Sequence, residues 1–180
     1  LYTILYLQVK ILLFCAVEFT YDKFLHPFAK ELYNRGHEVH ASFTFADIAS
    51  RSRRSTQNIL FHPLIIKRTQ SISNILYSAY QLFRLCKAIN PDILHVHTPL
   101  AAIVARLTCL FLPKTKLYYT VHGFYATERT PVLKRCFYFL TEYILSFFTS
   151  RLYFVSSEDY ALARFFYPLP LKSLIYVGNG

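Results

Sequence analysis

The sequence predicts an α/β fold, a parallel sheet with helices on both faces, and three observations carry that prediction. Strand-like runs rich in β-branched, aromatic and leucine residues alternate with longer helix-patterned segments along the chain, an order that makes parallel strands joined by right-handed crossovers. The first such run, KILLFCAV from Lys10 to Val17, is continuously apolar after its lysine, as a strand covered on both faces must be. Helix-start signals then follow two later strands: Thr98 with Pro99, and Thr130 with Pro131, set a capping residue ahead of a proline at the first helical position.

The elements follow in order. KFLHPFAKELYNRG repeats Leu25, Phe28, Ala29 and Leu32 at helical spacing, and Gly36 stands where a glycine C-cap belongs. HEVHASF alternates into a second strand. TFADIASRSRRSTQN has no periodicity and holds Arg51, Arg53 and Arg54, which predicts an exposed basic loop before the short strand ILFHPL. From Ser71 to Asn90 one stripe collects Ile72, Ile75, Leu76, Ala79, Leu82, Phe83, Cys86 and Ile89, and Pro91 stops the helix. DILHVH, LYYTV and RLYFVS are further strands; Ser156, with Asp159 three residues on, caps a short helix, and LIYV closes the series before GNG.

A length of 180 residues suits a single domain, residues 1–180, with one substantial core. Although 54% of the residues are hydrophobic, Lys10 and Glu142 interrupt the apolar runs before the roughly 18 residues that a spanning helix requires. No positive charge precedes the first apolar stretch, so it does not read as a signal peptide. Cys15, Cys86, Cys109 and Cys136 are widely spaced in apolar segments with no C-x-x-C pair, which predicts buried small side chains in a reducing compartment rather than a zinc or redox centre. The net charge of +10 favours anionic partners. The basic residues are scattered rather than gathered on a face of stacking aromatics, which argues against nucleic acid. Lys134 and Arg135, however, open a helix carrying Phe137, Tyr138, Phe139, Tyr143, Phe147 and Phe148, a combination suited to lying on an anionic membrane surface. The chain starts at Leu1 and holds no methionine, and we expect it to be part of a longer gene product.

Candidate chemistry gathers at the ends of two strands, PDILHVHTPL and KLYYTVHGFY, because open parallel sheets bind ligands beyond the carboxyl ends of their strands. His95 and His97 lie two apart and face the same side, a spacing that can ligate a metal. No HExxH or clustered aspartate supplies further ligands. His95 is therefore read as packed under a helix and His97 as reaching the strand end. His122 is the stronger candidate: it ends a strand and precedes Gly123, where a ligand can approach without a Cβ in the way. Its imidazole could donate to a sugar hydroxyl, stabilise charge on a phosphate leaving group, or satisfy a loop carbonyl. The turn after the first strand, VEFTYDKF, has no glycine, and neither G-x-G-x-x-G nor a Walker A motif occurs, which removes most nicotinamide, flavin and P-loop nucleotide readings. No nucleophile elbow supports acyl transfer.

In order and spacing, KILLFCAVEFTYDKFLHPFAKELYNRGHEVH, PDILHVHTPLAAIVARL, LYYTVHGFY, RLYFVSSED and IYVGNG resemble the amino-terminal domain of family 4 glycosyltransferases, from Lys10 to Gly180. The resemblance implies a Rossmann-like domain, the amino-terminal half of a GT-B fold, that holds the acceptor in a retaining, metal-independent transfer from a nucleotide sugar. It is similar to bacterial enzymes that build capsular, exopolysaccharide or lipid-linked glycans. On that resemblance the partners are a nucleotide sugar, UDP-linked, and a glycan or lipid-linked acceptor. There is no cofactor, and the expected location is cytoplasmic, at the inner face of the plasma membrane. The family histidine matching His122 lies near the donor sugar and its phosphates. Substrate contact is carried over to Glu18, Tyr21 and Lys23 in the turn after the first strand, and to His97, Thr98, Gly123 and Phe124 at the two histidine strands. Many members have glycines in that first turn, and this sequence does not. The family's carboxyl-terminal donor domain should begin just after GNG, so this chain alone is expected to be inactive. The competing expectation is a non-catalytic binding or membrane-docking module that acts only with a separate partner domain.

Overall fold

The computed structural model describes residues 8–45, 58–66, 71–123, 131–167, 170 and 173–178. Among the described residues seven strands lie side by side: β1 (Lys10–Val17), β2 (Glu38–Thr44), β3 (Leu60–Pro63), β4 (Ile93–His97), β5 (Lys116–Val121), β6 (Arg151–Phe154) and β7 (Leu174–Tyr176). Their order in the sheet is β3-β2-β1-β4-β5-β6-β7 and every pair is parallel. The order reverses between β1 and β4, and at such a switch point the connections leave in opposite directions and open a crevice at the carboxyl ends of the strands.

Alternation along β1 divides the core. Leu12 and Phe14 join the larger cluster, under helices α2 (Ile72–Ile89), α3 (Pro99–Cys109) and α5 (Ser157–Phe166), with Leu94, Val96, Leu117, Tyr119, Val121, Leu152 and Phe154 from the sheet. Ile11, Leu13 and Cys15 face the other way, under α1 (residues 18–34), with Val39, Ala41 and Phe43. The predicted two-faced sheet is therefore the one observed.

Helix α1 departs from the expected turn. It begins directly at the end of β1, as an α-helical turn at Glu18–Thr20, widens into a π-helical segment at Tyr21–Leu25 and continues as α-helix over His26–Asn34. Residues 18 to 23 are thus helical and not a loop. The π segment turns Tyr21 and Leu25 inward together, while Lys23 and Phe24 stay outside. Gly36, at φ +86°, ends the arm as predicted.

In α2 the stripe holds only in part. Ala79, Leu82, Cys86 and Ile89 are buried, but Ile72 and Leu76 are exposed. They line an open apolar groove of about 330 Å³ with Ile103 and Leu107 of α3 and Ile144 and Leu145 of α4 (Val132–Ser146). Ser71 caps α2 by accepting from the Asn74 amide, and Asn90 closes it in the left-handed region at φ 54°. Ser156 caps α5 through the Asp159 amide, as the sequence suggests. Pro131, expected as the first helical residue, takes the capping position instead, so α4 starts one residue later than predicted; Thr130 lies outside the described residues, as do Arg51, Arg53 and Arg54.

Three of the four cysteines behave as expected: Cys15 and Cys86 are buried and Cys109 is half-buried. Burial pushes the thiols of Cys86 and Cys109 up to about 12. Cys136 departs from the expectation, because α4 holds it out to solvent.

Candidate functional site

Three histidines converge where β4 and β5 end beside β1. Register explains the convergence: His95 lies opposite Leu13 and Tyr118, and His97 opposite Cys15 and Thr120. Leu13 and Cys15 face α1, so both histidines face it too, and Phe28 of α1 meets the His95 ring edge-on at 5.7 Å. His95 bonds the Thr120 hydroxyl through Nε2 at 2.9 Å, and burial pulls it down to about 3. It is a neutral, packed strand residue, as its place in the sequence suggests.

His97 is as enclosed as its neighbour, with 4% of its surface exposed. Its Nδ1 lies 3.2 Å from Nε2 of His122, while its own Nε2 is buried with no partner among the described residues. Burial, then the neighbouring His95 and His122, hold its proton affinity well below the usual imidazole range. His122 comes one residue after β5, so it leaves the sheet and is exposed. Phe24 tilts against it at 5.3 Å, and partial burial lowers its proton affinity as well. A neutral imidazole at this place can donate a hydrogen bond without adding positive charge.

Thr98 links the site to α3. Its φ of +81° with ψ 139° is a backbone state that a β-branched residue rarely adopts. The predicted side-chain cap is absent: Thr98 accepts the Ala102 amide through its carbonyl only, and its hydroxyl is buried without a partner among the described residues. Positive φ explains the missing cap, because an N-cap side chain reaches the first-turn amides from extended backbone. Gly123, at φ +140°, needs glycine for its conformation; a Cβ there would meet no atom of the described residues within 4 Å.

The remaining expected contacts divide. Glu18 lies at the first turn of α1, 8% exposed, at the carboxyl end of β1. Lys23 stands on the rim, its ammonium 5.6 Å from the Phe19 ring centre and 5.5 Å from that of Phe24. Tyr21 must be corrected: it is fully buried, stacked on Phe43 at 5.0 Å and edge-on to Phe61, because the π segment turns it under the helix. Phe124 lies outside the described residues. Sequence reading missed Phe24 and Phe28, which meet His122 and His95; their i, i+4 spacing on one helix was the available signal. Among the described residues no group of three or more His, Cys, Asp or Glu side chains could hold a metal ion.

A seven-stranded parallel sheet of this order, with polar groups gathered at its switch point, is an α/β domain of the kind whose ligands bind beyond the carboxyl ends of the strands, here β1, β4 and β5. The sequence pattern described as Glycosyl transferase 4-like matches residues 10–156, and the chain belongs to that family. It is 29% identical over 160 residues to the Bacillus subtilis (strain 168) protein named "Putative glycosyltransferase EpsD", covering 87% of this chain and 40% of that protein. Among solved structures it is similar to a glycosyltransferase from Rickettsia africae ESF-5, with TM-score 0.69 and 16% identity, over 97% of this chain and 44% of that one. Anabaena Alr3699/HepE, in complex with UDP and glucose, gives TM-score 0.67 at 16% identity, over 96% and 45%. The UDP-GlcNAc 2-epimerase of Methanocaldococcus jannaschii gives 0.68 at 14% identity, over 94% and 45%. At these identities the structures establish the fold, and the chain spans less than half the length of each of these proteins.

Proposed function

We propose that this chain is the acceptor-side domain of a retaining glycosyltransferase that moves a sugar from a UDP-linked donor to a glycan or lipid-linked acceptor in polysaccharide synthesis. The observation that carries the reading is the meeting of His97, Thr98 and His122 at the switch point, in a chain of the Glycosyl transferase 4-like family. The similarity to EpsD and to a structure bound to UDP and glucose supports the substrate classes.

In the transfer, the bond between the anomeric carbon and the diphosphate oxygen breaks, and its electron pair leaves on the diphosphate. The acceptor oxygen forms the new bond and gives up its proton to the departing diphosphate. His122 supplies a hydrogen-bond donor to the sugar or to the departing oxygen; a donor aimed at developing charge is worth far more in a crevice than in water. The test is His122→Ala in the full-length protein, followed by transfer of labelled sugar from a panel of UDP-sugars to glycan and lipid acceptors. Turnover should fall about 100- to 1,000-fold, the usual loss for one such donor. A folded, fully active variant would remove His122 from the chemistry.

A second feature favours peripheral contact of the same protein with an anionic membrane at the inner face of the plasma membrane. Helix α4 leaves Leu133 88% exposed and Phe147, just beyond its end, 60% exposed, with Ile144 and Phe148 also out, and Arg135 of the same helix is exposed. Among the described residues no helix is long and apolar enough to cross a membrane. The same surface would serve a non-catalytic docking module, and the His122→Ala assay separates the two.

A further inference from the structure

We propose that His97 is a positioning residue that donates its Nδ1–H to Nε2 of His122 and so fixes His122 in the tautomer that presents Nδ1–H to the crevice. The proposal deepens the role given to His122 above and rests on that reading only for its catalytic consequence.

Two arrangements of the hydrogen bond at 3.2 Å are available to a pair of neutral rings. In one, His97 donates from Nδ1; its Nε2 then carries a lone pair, and His122 carries its proton on Nδ1. In the other, His122 donates from Nε2, and His97 must carry its proton on Nε2. That nitrogen is buried without a partner among the described residues, in a side chain 4% exposed. An unpaired buried N–H costs more than an under-used acceptor and is the rarer state in folded proteins. The first arrangement therefore wins. It leaves His122 with a donor on the ring edge away from His97, where the side chain is exposed and where Nδ1 has no protein partner among the described residues.

The surroundings hold His97 in that orientation. Its ring lies 4.3 Å from that of His95, which is itself tied to Thr120, and α1 closes the same face. Burial lowers the proton affinity of His97 strongly and that of His122 in part, which favours the neutral rings in which a fixed tautomer distinguishes the two nitrogens of His122.

The tautomer can be read directly from imidazole ¹⁵N resonances of the full-length protein, in which pyrrole-like and pyridine-like nitrogens are well separated. A free histidine side chain prefers its proton on Nε2. The wild type should instead show His122 with a pyrrole-like Nδ1. His97→Leu should return His122 to the Nε2–H form, and His97→Asn, whose side-chain amide can replace the Nδ1–H donor, should keep Nδ1–H. A wild-type His122 protonated on Nε2, or an unchanged tautomer in His97→Leu, would overturn the proposal. If His97→Leu does not fold, the wild-type and His97→Asn spectra still decide it. In a transfer assay His97→Leu should lower kcat by about 10-fold or more with little change in KM, and His97→Asn should recover most of it. A tautomer switch with unchanged kcat would support the positioning role and refute the catalytic reading of His122, so the two failures are distinct.

Discussion

Glu142 is the single contact whose loss should most loosen α4. The helix buries little else: apart from Ser146, every described side chain on it is exposed or half-exposed. Its carboxylate accepts from Arg106 Nη1 at 2.8 Å and from the Tyr167 hydroxyl at 3.2 Å. Arg106 is fully buried, also donates from Nε to the Thr149 hydroxyl at 3.0 Å, and lies over the Tyr119 ring at 4.9 Å. At 2.8 Å the Coulomb attraction is about 6 kcal/mol for an effective dielectric of about 20. Desolvation of both ions offsets much of that, so the pair itself adds little net stability. Breaking it is another matter, because Glu142→Leu strands a buried guanidinium; the cost should be about 3 to 5 kcal/mol. For a chain of this size each kcal/mol moves the midpoint by about 2 to 4 °C, which gives a fall of roughly 6 to 20 °C. The double variant Arg106→Met with Glu142→Leu removes both charges and should regain most of the loss, giving a large coupling energy. Urea titrations of the wild type, both single variants and the double variant measure it. A Glu142→Leu protein within about 1 kcal/mol of wild type, or a double variant whose cost is the sum of the singles, would refute the burial argument.

The buried histidines make stability depend on acid. His95 titrates near 3 in the folded chain against 6.5 unfolded, so the unfolded chain binds more protons as pH drops. The stabilisation is complete above about pH 6.5 and falls by about 1.4 kcal/mol per pH unit on the way to 3, more steeply where His97 adds a second proton. His95→Ala should cost about 1 to 3 kcal/mol at neutral pH, leave turnover of the folded enzyme nearly intact, and flatten the acid limb by about one proton; an unchanged limb would mean that His95 is not a buried neutral group. Attachment to anionic vesicles should be strong at low salt and weaken as salt is added. Leu133→Asp with Phe147→Asp should reduce it, and equal binding to neutral and anionic vesicles would exclude the electrostatic part of the contact.

What could be read in the sequence followed from periodicity. The apolar run of β1, the alternation of β2 and the capping serine at Ser156 each have one physical meaning, and each took its predicted place. The two histidine strands could be placed because a parallel register brings the ends of neighbouring strands together. The missed features depend on contacts between elements. No local pattern reveals that a π-helical segment turns Tyr21 under α1, since its signature is one widened turn and not a residue type. Nor does the Thr-Pro pair show that Thr98 has positive φ, because the same two residues also fit an ordinary N-cap. Ile72 and Leu76 belong to a proper helical stripe, yet they overhang the groove beside α3 and α4 instead of the sheet.

The turn after β1 helps decide what this wall of the crevice can recognise. In sheets of this strand order, the first β–α turn is where glycines and a helix N-terminus cradle a diphosphate. Here Val17 passes from extended backbone straight into helix, no glycine intervenes, and the Glu18 side chain occupies the first turn, 8% exposed. A carboxylate is favoured at a helix N-terminus by the unpaired amides and the dipole. The first turn therefore offers a carboxylate where a glycine-rich turn offers open amides, and a diphosphate brought there would meet like charge. At the ends of β4 and β5 the groups are different: His122, whose proton affinity partial burial lowers, the Thr98 hydroxyl with no partner among the described residues, and Gly123, where a Cβ would meet none of the described residues within 4 Å. Such groups exchange hydrogen bonds with hydroxyls and do not neutralise phosphate. On the proposed assignment, this domain therefore reads the sugar and acceptor hydroxyls, and the diphosphate takes its countercharge from groups other than the first turn of α1.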